Sequence, residues 1–284
     1  MRILVTGLDG FTGQYVKKAL QSAGHEAIAL TSNLTDAQNL IDELANSRLD
    51  AVIHLAAIAF VGHGDINDIY HVNLLGTRNL LQALAQSSST IQHVLIASSA
   101  NIYGNSSAGM LNEQISANPA NDYALSKYAM ELMAGFWCDR LPITLLRPFN
   151  YTGVGQNDVF LVPKIVNHFK AKKTVIELGN LEVWREFNDV RFIADCYTKL
   201  IALSPATSGQ AINICTGNAY SLAEIINLCQ KISGHTINVQ VNPQFVRKNE
   251  VHVLKGDNTL LQQTIGAVAE YDLEQTLTWM LESN

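Results

Sequence analysis

Tyr123 and Lys127 form the only Tyr-x-x-x-Lys pair in the chain, within Asn121-Asp-Tyr-Ala-Leu-Ser-Lys-Tyr128. On a helix this spacing brings the phenol and the ammonium to one face, one turn apart. A positive charge beside a phenol favours the phenolate, so the spacing predicts a tyrosine more acidic than the usual pKa of about 10. Such a group can donate or accept a proton. The pair alone is a weak signal, because tyrosine and lysine meet at this spacing by chance. The other parts of a site must come from elsewhere in the chain.

Arg2-Ile-Leu-Val-Thr6 is short, apolar and partly β-branched, as expected of a strand covered on both faces of a parallel sheet. It runs into Thr6-Gly7-Leu-Asp-Gly10-Phe-Thr-Gly13, followed by a helical pattern to Ala23. Strand, glycine turn and helix together make a phosphate site. Gly7 permits the turn, Gly10 lets a pyrophosphate approach the helix N-terminus, and Gly13 lets the helix pack against the strand. The plainer alternative is a turn built only for packing.

Glu26 to Thr31 reads as a second strand, with a helix from Asp36 to Asn46 after it. Sites for NAD usually carry an acid at the end of this strand. Here the positions are Leu30, Thr31, Ser32 and Asn33, with neither an acid nor an Arg. Small hydroxyl side chains can accept a 2'-phosphate, so the reading leans to NADP and leaves NAD open. Asp50-Ala-Val-Ile-His-Leu-Ala-Ala57 is a third strand. Its small Ala56 and Ala57 leave room for a cofactor at the carboxyl end. His54, apolar on both sides, reads as a satisfied core histidine. A long helix from Asp65 to Gln86 contains Asn73 and Gly76, and Gln92 to Ser99 is a fourth strand. It delivers Ser98 and Ser99 to the edge that carries the glycine turn, where open α/β sheets bind ligands. A polar loop, the Tyr123 helix and a fifth strand at Pro142–Arg147 follow. The alternation predicts an α/β fold, a Rossmann-type doubly wound parallel sheet.

Past Arg147-Pro148 the segments shorten, and Phe149–Asn157 is a glycine-broken loop. Residues 1–150 are expected to form a dinucleotide-binding domain. Residues 151–284 are expected to form a smaller C-terminal α/β substrate-binding part, some segments of which return to the first. Ser221-Leu-Ala-Glu224 has the pattern of a helix capping box.

The chain has 284 residues, a net charge of -6 and 48% hydrophobic residues. The acidic balance argues against a nucleic-acid surface. No apolar run approaches the roughly 20 residues of a membrane span. Met1-Arg-Ile-Leu-Val passes straight into a strand pattern, so no targeting segment is read and a cytoplasmic protein is expected. Cys138, Cys196, Cys215 and Cys229 form no C-x-x-C and lie in apolar runs, which predicts free core thiols and no metal site.

Taken together, Thr6–Gly13, Asp50–Ala57, Asn73-Leu-Leu-Gly-Thr, Ser98-Ser99…Tyr103-Gly104, Tyr123-x-x-x-Lys127 and Arg147-Pro-Phe-Asn150 resemble the extended short-chain dehydrogenases/reductases that act on nucleotide sugars. The likeness covers nearly the whole chain. Within that family Arg147–Gln156, Arg185-Glu-Phe-Asn-Asp-Val, Asn213-Ile-Cys-Thr-Gly, and Arg247 with Glu250 are similar to the GDP-6-deoxy-D-mannose reductase group. The resemblance implies hydride transfer from NAD(P)H to the C4 ketone of an NDP-4-keto-6-deoxyhexose, foremost GDP-4-keto-6-deoxy-D-mannose to GDP-D-rhamnose. The alternative it leaves is an NDP-sugar 4-epimerase that retains NAD. Ser99, Tyr123 and Lys127 would be catalytic. Gly7, Gly10, Phe11, Thr12, Gly13, Thr31, Ser32, Leu55, Ala56, Ala57, Asn73 and Ala97, with Tyr123 and Lys127, would meet the cofactor. Ser99, Asn101, Asn150, Arg185, Arg247 and Glu250 would meet the nucleotide sugar, with Arg147 and Lys248 as weaker candidates. Related sugar dehydratases place carboxylates just after the catalytic hydroxyl. Ala100 and Asn101 stand there instead, which argues against dehydration. Relatives pair through the helices at 66–86 and 122–139, so a homodimer is expected.

Overall fold

The computed structural model describes residues 1–59, 65–104, 109–203, 206–245, 253–269 and 271–283. Six parallel strands form the central sheet: β1 (Arg2–Thr6), β2 (Glu26–Ala29), β3 (Ala51–His54), β4 (His93–Ala97), β6 (Ile143–Pro148) and β11 (Ala211–Ile214). Their order is β11-β6-β4-β3-β1-β2. Because all six run the same way, the loops that follow them open at one edge. The order reverses at β1, which has β2 on one side and β3 on the other. That reversal is where a doubly wound sheet leaves a crevice.

Alternation along the strands explains the two covered faces. Ile3 and Val5 turn to one side, against α1 (Phe11–Ser22) and α7 (Val190–Ile201). Leu4, Val52 and Val94 turn to the other, against α2 (Ala37–Ala45), α4 (Thr77–Gln86) and α5 (Asp122–Gly135). Both α7 and β11 therefore return from beyond residue 150. A separate apolar cluster joins α6 (Leu161–Lys170), α8 (Leu222–Ser233) and α10 (Leu273–Glu282) over β8 (Val175–Leu178). The capping box at the start of α8 forms as the sequence predicts, with Ser221 and Glu224 each bonding the other's backbone.

Four shorter strands, β5 (Met110–Leu111), β9 (Trp184–Glu186), β12 (Ala219–Ser221) and β14 (Val253–Gly256, followed by α9, Thr259–Ile265), form a second sheet, while β7 (Tyr151–Thr152) pairs with β10 (Asn188–Asp189) and β13 (Asn238–Val241) with β8. The strands of the second sheet escape periodicity because two to four residues carry no readable pattern. The helix expected from Asp65 to Gln86 is also not uniform. It opens as α3 (Ile66–Tyr70), widens to a π-helical stretch at His71–Gly76, and resumes as α4. No helix of the described residues is long and apolar enough to cross a membrane.

Candidate active site

Asn121 starts α5 by accepting the Ala124 N–H at 2.9 Å, which places Tyr123 in the first turn and Lys127 one turn on. Ser99 ends the loop after β4. Its Oγ accepts the Asn101 N–H at 3.1 Å, capping the 3-10 turn Ala100–Tyr103, and its side chain lies near enough to the Tyr123 hydroxyl to favour the phenolate. Lys127 is 4% exposed and donates from Nζ to the Ala97 carbonyl at 2.8 Å.

Burial sets both protonation states. It pushes the Tyr123 phenol up to about 12, against the pull of the Ser99 side chain and with a smaller push from Tyr151. It pulls the Lys127 ammonium down to about 8, against the opposing charge of Glu131. This corrects the expectation of an acidified phenol. Lys127 is committed to the Ala97 carbonyl, and removal from water outweighs its charge. Tyr123 is therefore a neutral phenol at physiological pH, which suits it to giving a proton rather than taking one.

A buried hydrogen-bond chain ties this helix to the strand under the glycine turn. The Ala56 N–H donates to Thr6 Oγ1 at 3.1 Å, and Thr6 meets His54 Nδ1 at 2.7 Å. His54 Nε2 meets Thr77 Oγ1 at 2.8 Å, and Thr77 donates to the Asn73 carbonyl at 2.7 Å. The fixed ends leave one tautomer, with Nε2 carrying the proton and Nδ1 accepting from Thr6. Burial, with the Lys127 charge adding, holds His54 down to about 3, so it stays neutral. It is the satisfied core histidine its apolar setting predicts. Asn73 sits in the π-helical stretch and grips Ile58 at both backbone groups, 2.8 and 3.1 Å, while donating to Ser126 Oγ at 3.1 Å. Ser126 donates to the Tyr123 carbonyl at 2.8 Å. Asn73 thus acts on the loop after β3 and on α5 together.

The glycine turn has the shape a dinucleotide phosphate requires. Gly7 has φ +71°, and a Cβ there would stand 3.1 Å from the Ala56 backbone. A Cβ on Gly13 would fall 2.2 Å from the Gly7 carbonyl oxygen, so any other residue would lift α1 off the turn. Gly10 caps α1 without a side chain, leaving the helix N-terminus bare for an anion. Phe11 stacks on Tyr151 (centroids 6.2 Å apart, planes 11° apart), and Thr12 Oγ1 lies 2.8 Å from the Tyr151 hydroxyl. Leu55 extends β3 by donating to the Thr6 carbonyl at 3.3 Å, and Ala57 follows half-buried.

Two further parts surround this centre. Arg147 makes a buried two-pronged ion pair with Glu131, at 3.0 and 2.7 Å, and donates to the Tyr103 hydroxyl at 3.0 Å. It is a structural cation, tying β6 to α5 one turn beyond Lys127. Asn150 has an exposed side chain, and its carbonyl accepts from the Asn188 backbone at 2.8 Å and side chain at 3.2 Å. Asn188 Oδ1 in turn accepts from Thr216 Oγ1 at 2.8 Å. Arg185 is half-buried and donates to the Trp184 carbonyl at 2.8 Å. Its neighbour Glu186 is buried and gathers the backbone N–H groups of Thr216, Gly217 and Gly256. Burial raises the Glu186 carboxyl against the pull of those donors. Arg247, Lys248 and Glu250 lie outside the described residues.

The NAD dependent epimerase/dehydratase family matches residues 3–215. The chain belongs to that family. It is 37% identical to GDP-6-deoxy-D-talose 4-dehydrogenase of Aggregatibacter actinomycetemcomitans, across 94% of this chain and 92% of that one. It is 31% identical to GDP-6-deoxy-D-mannose reductase of Pseudomonas aeruginosa, across 99% and 96%. The solved structure of RMD from Pseudomonas aeruginosa with NADPH superposes with a TM-score of 0.87, at 29% identity, covering 99% of this chain and 97% of that one. The protein is thus an NAD(P)-dependent oxidoreductase of the extended short-chain dehydrogenase/reductase type, as the motifs imply. In this family member the structure adds residues that sequence reading passed over. Tyr151 sits in the glycine-broken stretch after Pro148, where the sequence assigns it no role of its own. Thr77 ends the Asn73-Leu-Leu-Gly-Thr stretch without a role of its own there, and Ser126 and Glu131 are helix residues outside any motif. Glu43, on α2, reaches the backbone after β2, where no acid stands in the sequence: its carboxylate accepts the Thr31 and Ser32 N–H groups at 2.9 and 2.7 Å.

Proposed function

We propose that this enzyme reduces the C4 ketone of GDP-4-keto-6-deoxy-D-mannose. The observation that carries the reading is the Ser99–Tyr123 hydroxyl pair, with a neutral phenol and with Ala100 and Asn101 where elimination chemistry would need acids. Two relatives whose names place redox chemistry on GDP-6-deoxy sugars support it.

In this reading Ser99 and Tyr123 hold the C4 carbonyl oxygen. When bound, the nicotinamide supplies the hydride to C4. As the carbonyl electron pair collects on oxygen, Tyr123 passes its phenolic proton there and Ser99 keeps a hydrogen bond to it. Lys127 holds the cofactor ribose. Gly7, Gly10, Phe11, Thr12 and Gly13 receive the cofactor diphosphate, with Leu55, Ala56, Ala57, Asn73 and Ala97 shaping the cleft floor. Asn101, Asn150, Arg185, Arg247 and Glu250 receive the nucleotide sugar, where arginine's planar fork matches phosphate oxygens.

The sequence points to GDP-D-rhamnose as product. The larger identity to the talose enzyme favours a second product, GDP-6-deoxy-D-talose, which differs in configuration at C4 and arises from hydride addition to the opposite face. The test offers GDP-4-keto-6-deoxy-D-mannose with NADH or NADPH, follows nicotinamide absorbance, and identifies the sugar formed. No cofactor oxidation, together with turnover of a UDP-hexose without added reductant, overturns the reading in favour of an epimerase.

A homodimer belongs to the same proposal. Leu125, Leu132 and Phe136 recur along one side of α5, and Phe136 is 83% exposed; Ile66 and Leu75 are exposed on the neighbouring helix. An apolar face of this kind suits a second copy of the chain. Light scattering should report a dimer that Phe136→Glu with Leu132→Glu dissociates; a monomeric parent protein removes the idea.

A further inference from the structure

The Glu43 carboxylate lies at the carboxyl end of β2, at the edge that holds the glycine turn after β1. The two strands are adjacent and in register, Val5 opposite Ala29. In a doubly wound sheet this strand end faces the adenosine ribose of a dinucleotide seated on the glycine turn. Thr31 and Ser32 are the residues it offers, and both are already engaged. Their N–H groups donate to Glu43 Oε1 and Oε2, while the Ser32 hydroxyl donates to the Asn39 carbonyl at 3.2 Å. Burial alone would raise the Glu43 carboxyl, but these donors more than offset it and hold it below the usual carboxylate range. Leu40 and Leu44, on the same helix, are fully buried and fix the helix against the sheet, so Glu43 is held in place.

The two backbone N–H groups that a 2'-phosphate would seek here are thus occupied by an anion. From Ala19 to Ser47 the chain carries four carboxylates and no Lys or Arg, so this segment supplies no cation to offset a second negative group. A ribose 2'-hydroxyl meets no such conflict, because it can donate its proton to the carboxylate. We propose that Glu43 discriminates between the two nicotinamide dinucleotides, accepting the 2'-hydroxyl of NAD(H) and repelling the 2'-phosphate of NADP(H). The inference rests on the dinucleotide site and not on the sugar.

The experiment is calorimetric binding of NADH and of NADPH, without sugar, to the unmodified protein, Glu43→Gln and Glu43→Ala. The unmodified protein should bind NADH about tenfold or more tightly than NADPH, the scale set by juxtaposed like charges. Glu43→Ala should bring that ratio to one or invert it, with Glu43→Gln in between. A merely structural brace would instead weaken both dinucleotides in parallel and leave the ratio alone. That result overturns the proposal, as does tighter NADPH binding by the unmodified protein. Should Glu43→Ala fold poorly, the near-isosteric Glu43→Gln still reports the ratio. Because no sugar is present, this result and the C4 reduction assay fail or succeed separately.

Discussion

The two ends of the dinucleotide crevice are built on opposite terms. At the Tyr123–Lys127 end an ammonium is 4% exposed, a phenol is lifted well above its ordinary pKa, and their helix is held by a buried chain through Ser126, Asn73, Thr77, His54 and Thr6. At the Thr31–Ser32 end a single half-buried carboxylate caps two backbone N–H groups on a surface loop. The first end keeps a phenol and an ammonium out of water, and several elements share the cost. The second end can change with little effect on the fold. A reactive group needs a fixed and desolvated place, whereas recognition of a ribose substituent needs only the right charge at the surface.

Four substitutions can break or sharpen that contrast. The largest effect is expected from Tyr123→Phe, which should lower turnover about a thousandfold, within the range for losing a general acid. Dinucleotide affinity should stay unchanged by calorimetry, and full activity would remove Tyr123 from the mechanism. Lys127→Met should be inactive yet more stable. Lys127 has a folded pKa of about 8 against an ordinary value near 10.5. Its charge therefore weighs on the folded state fully below that pH, and the burden fades as pH rises from about 8 toward the unfolded value. That shift corresponds to about 3 kcal/mol. Loss of the Ala97 hydrogen bond takes back about 1 kcal/mol, so denaturation at neutral pH should show a gain of about 2 kcal/mol. The gain should shrink at alkaline pH, and a loss of stability at neutral pH would contradict the burial argument.

Asn73→Ala should destabilise by about 1–3 kcal/mol, because it strips partners from both Ile58 backbone groups and from Ser126. Urea denaturation measures it, and an unchanged midpoint would mean the chain adds nothing to stability. The smallest change in stability is expected for Glu43→Gln, about 1 kcal/mol, because its amide can still accept one of the two backbone N–H groups. A large drop would make the two ends alike.

The legible parts of this protein were those fixed by neighbours in the chain. Gly7, Gly10 and Gly13 after an apolar strand, the four-residue step from Tyr123 to Lys127, the alternating elements of the central sheet, and the Ser221–Glu224 box all act over a few residues. Their structures follow local rules of backbone freedom and periodicity. Residue types alone also separated His54, apolar on both sides, from any ligand role. Tertiary structure decided what depends on meetings across the chain. It brought β11 back to the sheet edge, Tyr151 against Thr12, Glu131 to Arg147, and Glu43 to Thr31 and Ser32. It also reversed the expected acidity of Tyr123, because a pKa answers to the water removed around a group as well as to the charge written beside it. Desolvation and non-local hydrogen bonds exist only once the elements have packed, and no spacing in the sequence encodes them.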